Sequence, residues 1–358
     1  MAEPTSVPNH HVRAVRMWLL CVAAMIFLTL LVGGATRLTE SGLSITQWKP
    51  VTGIVPPLSD AAWQAEFNAY RAIPQYQELN RGMSLDQFKV IYWWEWTHRL
   101  LARATGAVFL LPFLFFLWRG WVPPRLRIRL WAIFGAGAFL GAVGWWMVAS
   151  GLAGSARISV SQYRLAFHLT LACAIYAAVL WTAQQITPQP PVGQPARLRI
   201  GALGIVVLML IQIYLGALVA GLDAGLVFNT WPLIDGSFIP DPSRLWFLHP
   251  AWRNFFENTL TVQFDHRMMA YAIWLAAMFH ANDAWDMRRE TAGALILAGA
   301  VTLQAMLGVV TLLERSPIEL ALAHQMAAIL VFTIAVVHAE RLWHRSSLLA
   351  PQAQGANA

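Results

Sequence analysis

The sequence predicts an all-α membrane protein: eight transmembrane helices forming two parallel, pseudo-symmetric four-helix bundles, with both termini cytoplasmic. Three observations carry that prediction. The 358 residues are 58% hydrophobic and only 12% charged, with a mean hydropathy of +0.51, about half the charged share of a soluble domain. Eight apolar runs approach the roughly 20 residues that a helix needs to cross a bilayer. Motifs in the first four runs also recur, in order, in the last four. Helices follow because lipid offers the backbone no hydrogen-bond partner, so each segment must satisfy its own polar groups.

The first run, 17–36, follows a tail, 1–16, that ends with Arg13 and Arg16. It is too long for a signal peptide, and no A-x-A-like site follows, so an uncleaved helix is expected. It leaves through LLVGGATRL (30–38) into a long loop. The second run, 91–118, opens with IYWWEWTHRL; the third is 130–150, and the fourth, 165–185, begins in YRLAFHLTLA. A proline-rich linker, 186–199, then separates a half at 17–185 from a half at 200–340. The fifth run, 201–221, exits through YLGALVAGL, as the first does through its own glycines. The sixth, 264–282, opens after QFDHR as the second opens after EWTHR. The seventh is 292–312, and the eighth, 320–339, begins in IELALAHQMAA and matches the fourth before a tail at 341–358. Four helices return the chain to its starting side, so the repeats are parallel and related by an axis along the membrane normal.

Orientation follows from loop charge. With the N-terminus inside, the cytoplasmic segments hold twelve arginines against five acids, which accounts for the whole net charge of +7. The high pI is therefore a matter of topology and implies no nucleic-acid partner. A bacterial inner membrane is the simplest location. The two cysteines, Cys21 and Cys173, fall inside predicted helices without a C-x-x-C pattern, and buried free thiols are expected.

His98, His168, His266 and His324 each lie within about two turns of the outer end of an even-numbered run, a span of about 11 Å. The pairs able to meet are His98 with His168 and His266 with His324, one per half. A single membrane histidine is often only a link between helices. Four at matched depth point instead to function, and facing imidazoles suit the axial positions of a haem iron. Zinc or copper would want further donors, and no Cys or Met cluster accompanies the pairs. His280 and His338 each follow a pair member by 14 residues, about four turns on one face. They read as a second haem site or as interfacial imidazoles. Gln212 with Gly216 and Gln304 with Gly308 share a Gln-x-x-x-Gly spacing that would let a helix or flat ligand come close.

The halves differ where chemistry would be expected. Glu95 precedes His98 by three residues, whereas Gln263 precedes His266. Three residues place Glu95 on the face of His98, and an ion pair with Arg99 is the structural alternative. Burial would raise the carboxyl pKa and Arg99 would lower it. Arg99 and Arg267 suit haem propionates or snorkel to water. In the first loop, Trp63, Phe67 and Tyr70 repeat at helical spacing, as in an amphipathic helix lying on the membrane, over the site or against the bundle. His249 reads as a loop residue.

The loop motifs carry a resemblance. GGATRLTESGLSITQWKPVTGIVPPLSDAAWQAEFNAYRAIPQY, EWTHRLLARATG, GLDAGLVFNTWPLIDGSFIP and HPAWRNFFENTLTVQFDHRMMAY resemble haem A synthase, in the form found in mitochondria and related bacteria, over nearly the whole chain. The resemblance implies oxidation of the C8 methyl group of haem O to a formyl group, making haem A for terminal oxidases. It implies a cofactor haem b on His266 and His324, a haem O substrate associated with His98 and His168, and an activity role for Glu95. The cysteine pair of many bacterial members is missing from the first loop, which excludes a thiol relay there. Implied partners are haem O synthase as supplier, an electron acceptor or donor, and the bilayer, with homo-oligomerisation open. The rivals are a quinol-linked bis-histidine b-type cytochrome, against which the loop match argues, and a transporter. Polar residues gathered near one surface disfavour the transporter.

Overall fold

A computed structural model describes residues 9–152, 154–186 and 193–347. Positions 187–192 of the expected linker, and the tails at 1–8 and 348–358, lie outside the described residues. The chain forms α1 (Asn9–Leu38), α2 (Asp60–Arg71), α3 (Pro74–Glu78), α4 (Leu85–Trp118), α5 (Pro124–Val148), α6 (Gln162–Gln185) and α7 (Ala196–Gly221). It continues with α8 (Ala224–Val227), α9 (Pro242–Leu245), α10 (Asn254–Glu257), α11 (Thr259–Asp286), α12 (Thr291–Leu313) and α13 (Ile318–Ser347). Among the described residues there is no strand beyond a single bridge between Ile234 and Ser237.

Local chemistry sets the ends of these helices. Ser84 and Gln87 make a reciprocal capping box at the start of α4, satisfying donors that the first turn leaves open. Gly120, at φ +68°, closes the same helix: its N–H and that of Trp121 reach back to Leu117 and Phe116, a turn that a side chain would strain. Asn258 caps α11 through the N–H groups of Leu260 and Thr261, and prolines open α3 and α5, where a missing N–H costs nothing.

Among the described residues seven helices, α1, α4, α5, α6, α7, α12 and α13, are long and apolar enough to cross a membrane. The protein is a multi-pass helical membrane protein on that count. The sixth expected span, α11, is 28 residues long but does not join them. Gln263, Asp265, His266 and Arg267 crowd one end, and His280, Asn282, Asp283 and Asp286 the other. The uninterrupted apolar run between them, 268–279, is about 18 Å long.

Contacts between the long helices close two rings. In one, α1 packs on α4 and α6, and α5 on α4 and α6; in the other, α7 packs on α11 and α13, and α12 on α11 and α13. The rings meet where α6 touches α7 and α13, and where α1 touches α13. Tyr176 hydrogen-bonds Thr333 across that interface at 2.8 Å, and Gln325 donates to the Leu30 carbonyl at 2.9 Å. Leu19, Phe113, Leu130, Val179, Leu198, Ile205 and Phe332 form part of the continuous core. Cys173 is buried within it, whereas Cys21 faces outward, so the expectation of two buried thiols holds for only one.

The loop from 39 to 84 folds over one end of the first ring. Phe67 and Tyr70 on α2 are buried against Phe88 and Tyr92 of α4 and Val148 of α5, and Trp63 meets the Tyr92 ring edge-on at 4.9 Å. The amphipathic helix thus packs on the bundle. At the matching end of the second ring, Ile234, Leu245 and Leu260 pack with Phe228 and Phe264.

Candidate functional site

Each of the four histidines sits on a glycine of a neighbouring helix, although α4 starts at Leu85, ahead of the expected 91, so that His98 lies nearly four turns into its helix and the other three about two turns into theirs. A methyl group on Gly33 of α1 would lie 2.8 Å from Nε2 of His98, and one on Gly144 of α5 would lie 3.1 Å from Cε1 of His168. In the second half, Gly216 of α7 faces Cε1 of His266 at 3.1 Å, and Gly308 of α12 faces Cε1 of His324 at 2.8 Å. Ordinary van der Waals contact begins at 3.4 Å, so no larger residue fits without moving a ring. The expected partners share a ring of helices, His98 on α4 with His168 on α6 and His266 on α11 with His324 on α13.

In the second half each imidazole is also held by an amide. Gln304 Nε2 lies 3.1 Å from Nδ1 of His324 and donates to that residue's carbonyl at 3.0 Å. Gln212 Nε2 lies 3.4 Å from Nε2 of His266 and donates to its carbonyl at 3.1 Å. The Gln-x-x-x-Gly spacing is thus a seat for histidine: the glycine admits the ring and the glutamine, one turn away, fixes it. The first half lacks the clamp. Four residues before Gly33 stands Thr29, bonded to the Met25 carbonyl, and four before Gly144 stands Leu140.

Glu95 is 2% exposed. Its Oε2 accepts from Ser44 Oγ at 2.7 Å and from the Ile45 N–H at 2.8 Å, and its Oε1 accepts from Arg99 Nε at 3.0 Å and Nη2 at 2.5 Å. Every one of these bonds is accepted, a pattern that suits a carboxylate. Arg99 completes the lock by donating to the carbonyls of Gln47 and Ile45. The ion pair weighed as the structural alternative is thus present, and it ties the loop to α4 one turn from His98. At the matching place Gln263 makes one long bond to the Phe228 carbonyl, 3.5 Å, and its Oε1 is buried without a partner. Arg267 donates to the carbonyls of Leu233 and Phe228 and keeps its buried Nε unpartnered.

His280 and His338 are buried and meet directly, Nε2 to Nε2 at 2.8 Å. They too rest on glycines, Gly201 and Gly293. An iron with two axial nitrogens needs about 4 Å between them, at roughly 2 Å per bond; in this arrangement the pair shares a hydrogen bond instead. His249 lies in a loop, its carbonyl accepting from Arg253.

The residues fit a haem at each matched pair. Two imidazoles would supply its nitrogen donors, glycines lie against both rings, and Nδ1 of His168 and of His266 is buried without a partner. No group of three or more His, Cys, Asp or Glu that could hold a metal ion occurs among the described residues, so the donor set does not make a protein-only metal cage.

The family model described as "Cytochrome oxidase assembly protein" matches residues 16–336. A protein of Rhodopseudomonas palustris (strain HaA2) named "Heme A synthase" is 59% identical over 343 residues, 95% of this chain and 93% of its own. Proteins of the same name from Bradyrhizobium diazoefficiens and Bradyrhizobium sp. (strain BTAi1 / ATCC BAA-1182) are 58% and 55% identical, covering 96% and 98% of this chain and 95% and 98% of theirs. The chain belongs to the cytochrome oxidase assembly protein family, among the haem A synthases.

Proposed function

We propose that this protein makes haem A from haem O by oxidising the C8 methyl group of the macrocycle to a formyl group, for use in terminal oxidases. The observation that carries the reading is one asymmetry between two like sites. Both halves seat a histidine pair on glycines, but only the first has a buried carboxylate beside it, and only the second has its imidazoles clamped by glutamines. A clamped pair suits a resident group; an unclamped pair beside an acid suits a substrate that enters, reacts and leaves.

In this reading His266 and His324 would hold haem b, and Arg267, whose buried Nε has no partner, would be available to a carboxylate of that haem. When bound, haem b supplies one-electron redox capacity. His98 and His168 hold the haem O iron and so fix the macrocycle relative to Glu95. The methyl group is oxidised in two two-electron stages, first to the alcohol and then to a gem-diol that loses water to give the aldehyde. Water supplies the oxygen, and an electron acceptor outside the chain takes the electrons. Glu95 is the general base. Arg99 is the other arginine proposed for haem contact; with all three of its nitrogens already partnered, its main effect is to hold Glu95 and the loop in place.

The same reading makes α11 the eighth crossing and the two rings parallel repeats, an N-terminal substrate half at 17–185 and a C-terminal cofactor half at 200–340. Both termini lie on the cytoplasmic side of a bacterial inner membrane. Haem O synthase is the supplier of substrate.

The test is to express the full chain with a source of haem O and identify the extracted haems by chromatography. Wild type yields haem A. Glu95→Gln yields haem O or its hydroxylated form, with haem b unchanged. Haem A formed at the normal rate by Glu95→Gln would remove the proposed role of that residue.

A further inference from the structure

The corner between α5 and α6 holds a cleft of about 430 Å³ whose lining includes Arg157, Arg164, Ser150, Ser155 and Ser161 and no acid. Neither arginine pairs with a carboxylate among the described residues: Arg157 Nη2 donates to Gln162 Oε1 at 2.6 Å, and Arg164 Nη1 to the Trp146 carbonyl at 2.5 Å. Arg164 also lies over the Trp146 ring, 4.5 Å from its centre. Serines fix the loop that carries Arg157. Ser155 Oγ donates to the Ser150 carbonyl and accepts from the Arg157 N–H, while Ser150 Oγ accepts from the Ser161 N–H. The carboxylate of Glu257 acts on Arg157 only at longer range, because it is bonded to Arg253 and Tyr163. Two positive charges therefore face this cleft with neutral partners only.

Position links the cleft to the substrate pair. Arg164 precedes His168 by four residues, so both lie on one face of α6, about 6 Å apart along its axis. Both meet α5, His168 at Gly144 and Arg164 at Trp146. The second half does not repeat the helical member: aligning His168 with His324 puts Leu320 opposite Arg164. Like Glu95, Arg164 has no charged counterpart in the second half.

We propose that this cleft is an oxyanion subsite that receives the two carboxylates of the haem held between His98 and His168, with Arg157 and Arg164 as binding residues. The inference rests on the reading of that pair as the substrate site. Guanidinium forks suit carboxylates, and a substrate anchored by its carboxylate edge presents its opposite side consistently at each turnover. Lipid phosphate carries the same chemistry and is the competing source of the anion.

The test uses the full chain in nanodiscs, of phosphatidylcholine alone or with phosphatidylglycerol. Ferric haem b and its dimethyl ester are the probes, titrated by the absorbance change that depends on His98 and His168. Wild type is expected to bind the diacid about tenfold more tightly than the diester, a difference of about 1.4 kcal/mol, in both lipids. The Arg157→Gln/Arg164→Gln variant is expected to bind both alike, with ester affinity unchanged, and Arg164→Lys to retain part of the preference. Retention of the second-half haem spectrum shows that each variant is folded. An unchanged preference in the double variant overturns the proposal, as does a preference that follows phosphatidylglycerol, which would assign the cleft to lipid phosphate. If neither probe depends on His98 or His168, the substrate-site reading fails and this inference fails with it.

Discussion

Replacing Gly308 with alanine should eject haem b from the second site, although alanine is the better helix former. The added methyl group would lie 2.8 Å from Cε1 of His324 and 3.4 Å from its Nδ1. To reach ordinary contact the ring must retreat by about 0.6 Å, three times the roughly 0.2 Å over which a metal–ligand distance is tolerated. It cannot swing freely, because Gln304 bonds both its Nδ1 and the backbone carbonyl of the same residue. Overpacking of this kind costs about 1–3 kcal/mol, so haem affinity should fall about 5- to 150-fold. Gly299, on the same helix, is the control, since a methyl group there meets nothing within 4 Å. At that position alanine should gain about 0.5–1 kcal/mol of helix stability. The assay is the ratio of haem to protein, with the low-spin absorption spectrum, in purified full-length variants. Full haem content in Gly308→Ala, or equal loss in Gly299→Ala, would refute the glycine-seat argument.

Gln304→Leu should weaken haem b binding about 10- to 100-fold and shift its reduction potential, as loss of a ligand's outer hydrogen bond does; a redox titration of the purified protein reads both. For His280 and His338, the single variant His338→Leu should destabilise the protein more than the double His280→Leu/His338→Leu, because it strands a buried imidazole. Thermal unfolding and haem content together check this, and a haem lost already in the single variant would show that the pair is a ligand set. Glu257 should contribute to acid stability. Hydrogen bonds from Arg253, then from Tyr163, hold its pKa below the usual 4.5. A depressed carboxylate stabilises the fold above its unfolded value, and that contribution is lost as pH falls through the folded value. Glu257→Gln should therefore be less stable than wild type at pH 7, with the difference fading below about pH 4.5, as followed by unfolding across pH.

Much of the site is legible in the sequence because it depends on position along single helices. Apolar runs mark the spans, one histidine on each even-numbered run gives His98, His168, His266 and His324, and alignment of the halves exposes Glu95 against Gln263; the turn count misplaces His98, because α4 starts at Leu85 and not at 91. What is hidden depends on how two elements face each other. Gly33 and Gly144 look like ordinary membrane glycines until the rotation of α1 and α5 sets them under imidazoles. Their second-half counterparts are signalled by the glutamine one turn before each, a cue that Thr29 and Leu140 do not supply. Arg157 and Arg164 look like loop and helix-end charges, because only the fold of the α5–α6 corner brings them together. The hydropathy reading counted α11 with the other spans, but polar residues at both of its ends shorten its apolar run. The interfacial reading of Arg99 and Arg267 missed their loop contacts, since which carbonyls a guanidinium reaches depends on a loop path that no periodicity encodes.

The division of labour between the pairs is the central claim, and one set of extractions tests it. The full chain and its His98→Ala, His168→Ala, His266→Ala and His324→Ala variants are expressed with a haem O source, purified, and their haems separated by chromatography. Loss of haem A with haem b retained in the first two variants, and loss of haem b itself in the last two, is the predicted result. Haem b that vanishes with His98 or His168 and survives without His266 or His324 would contradict the account.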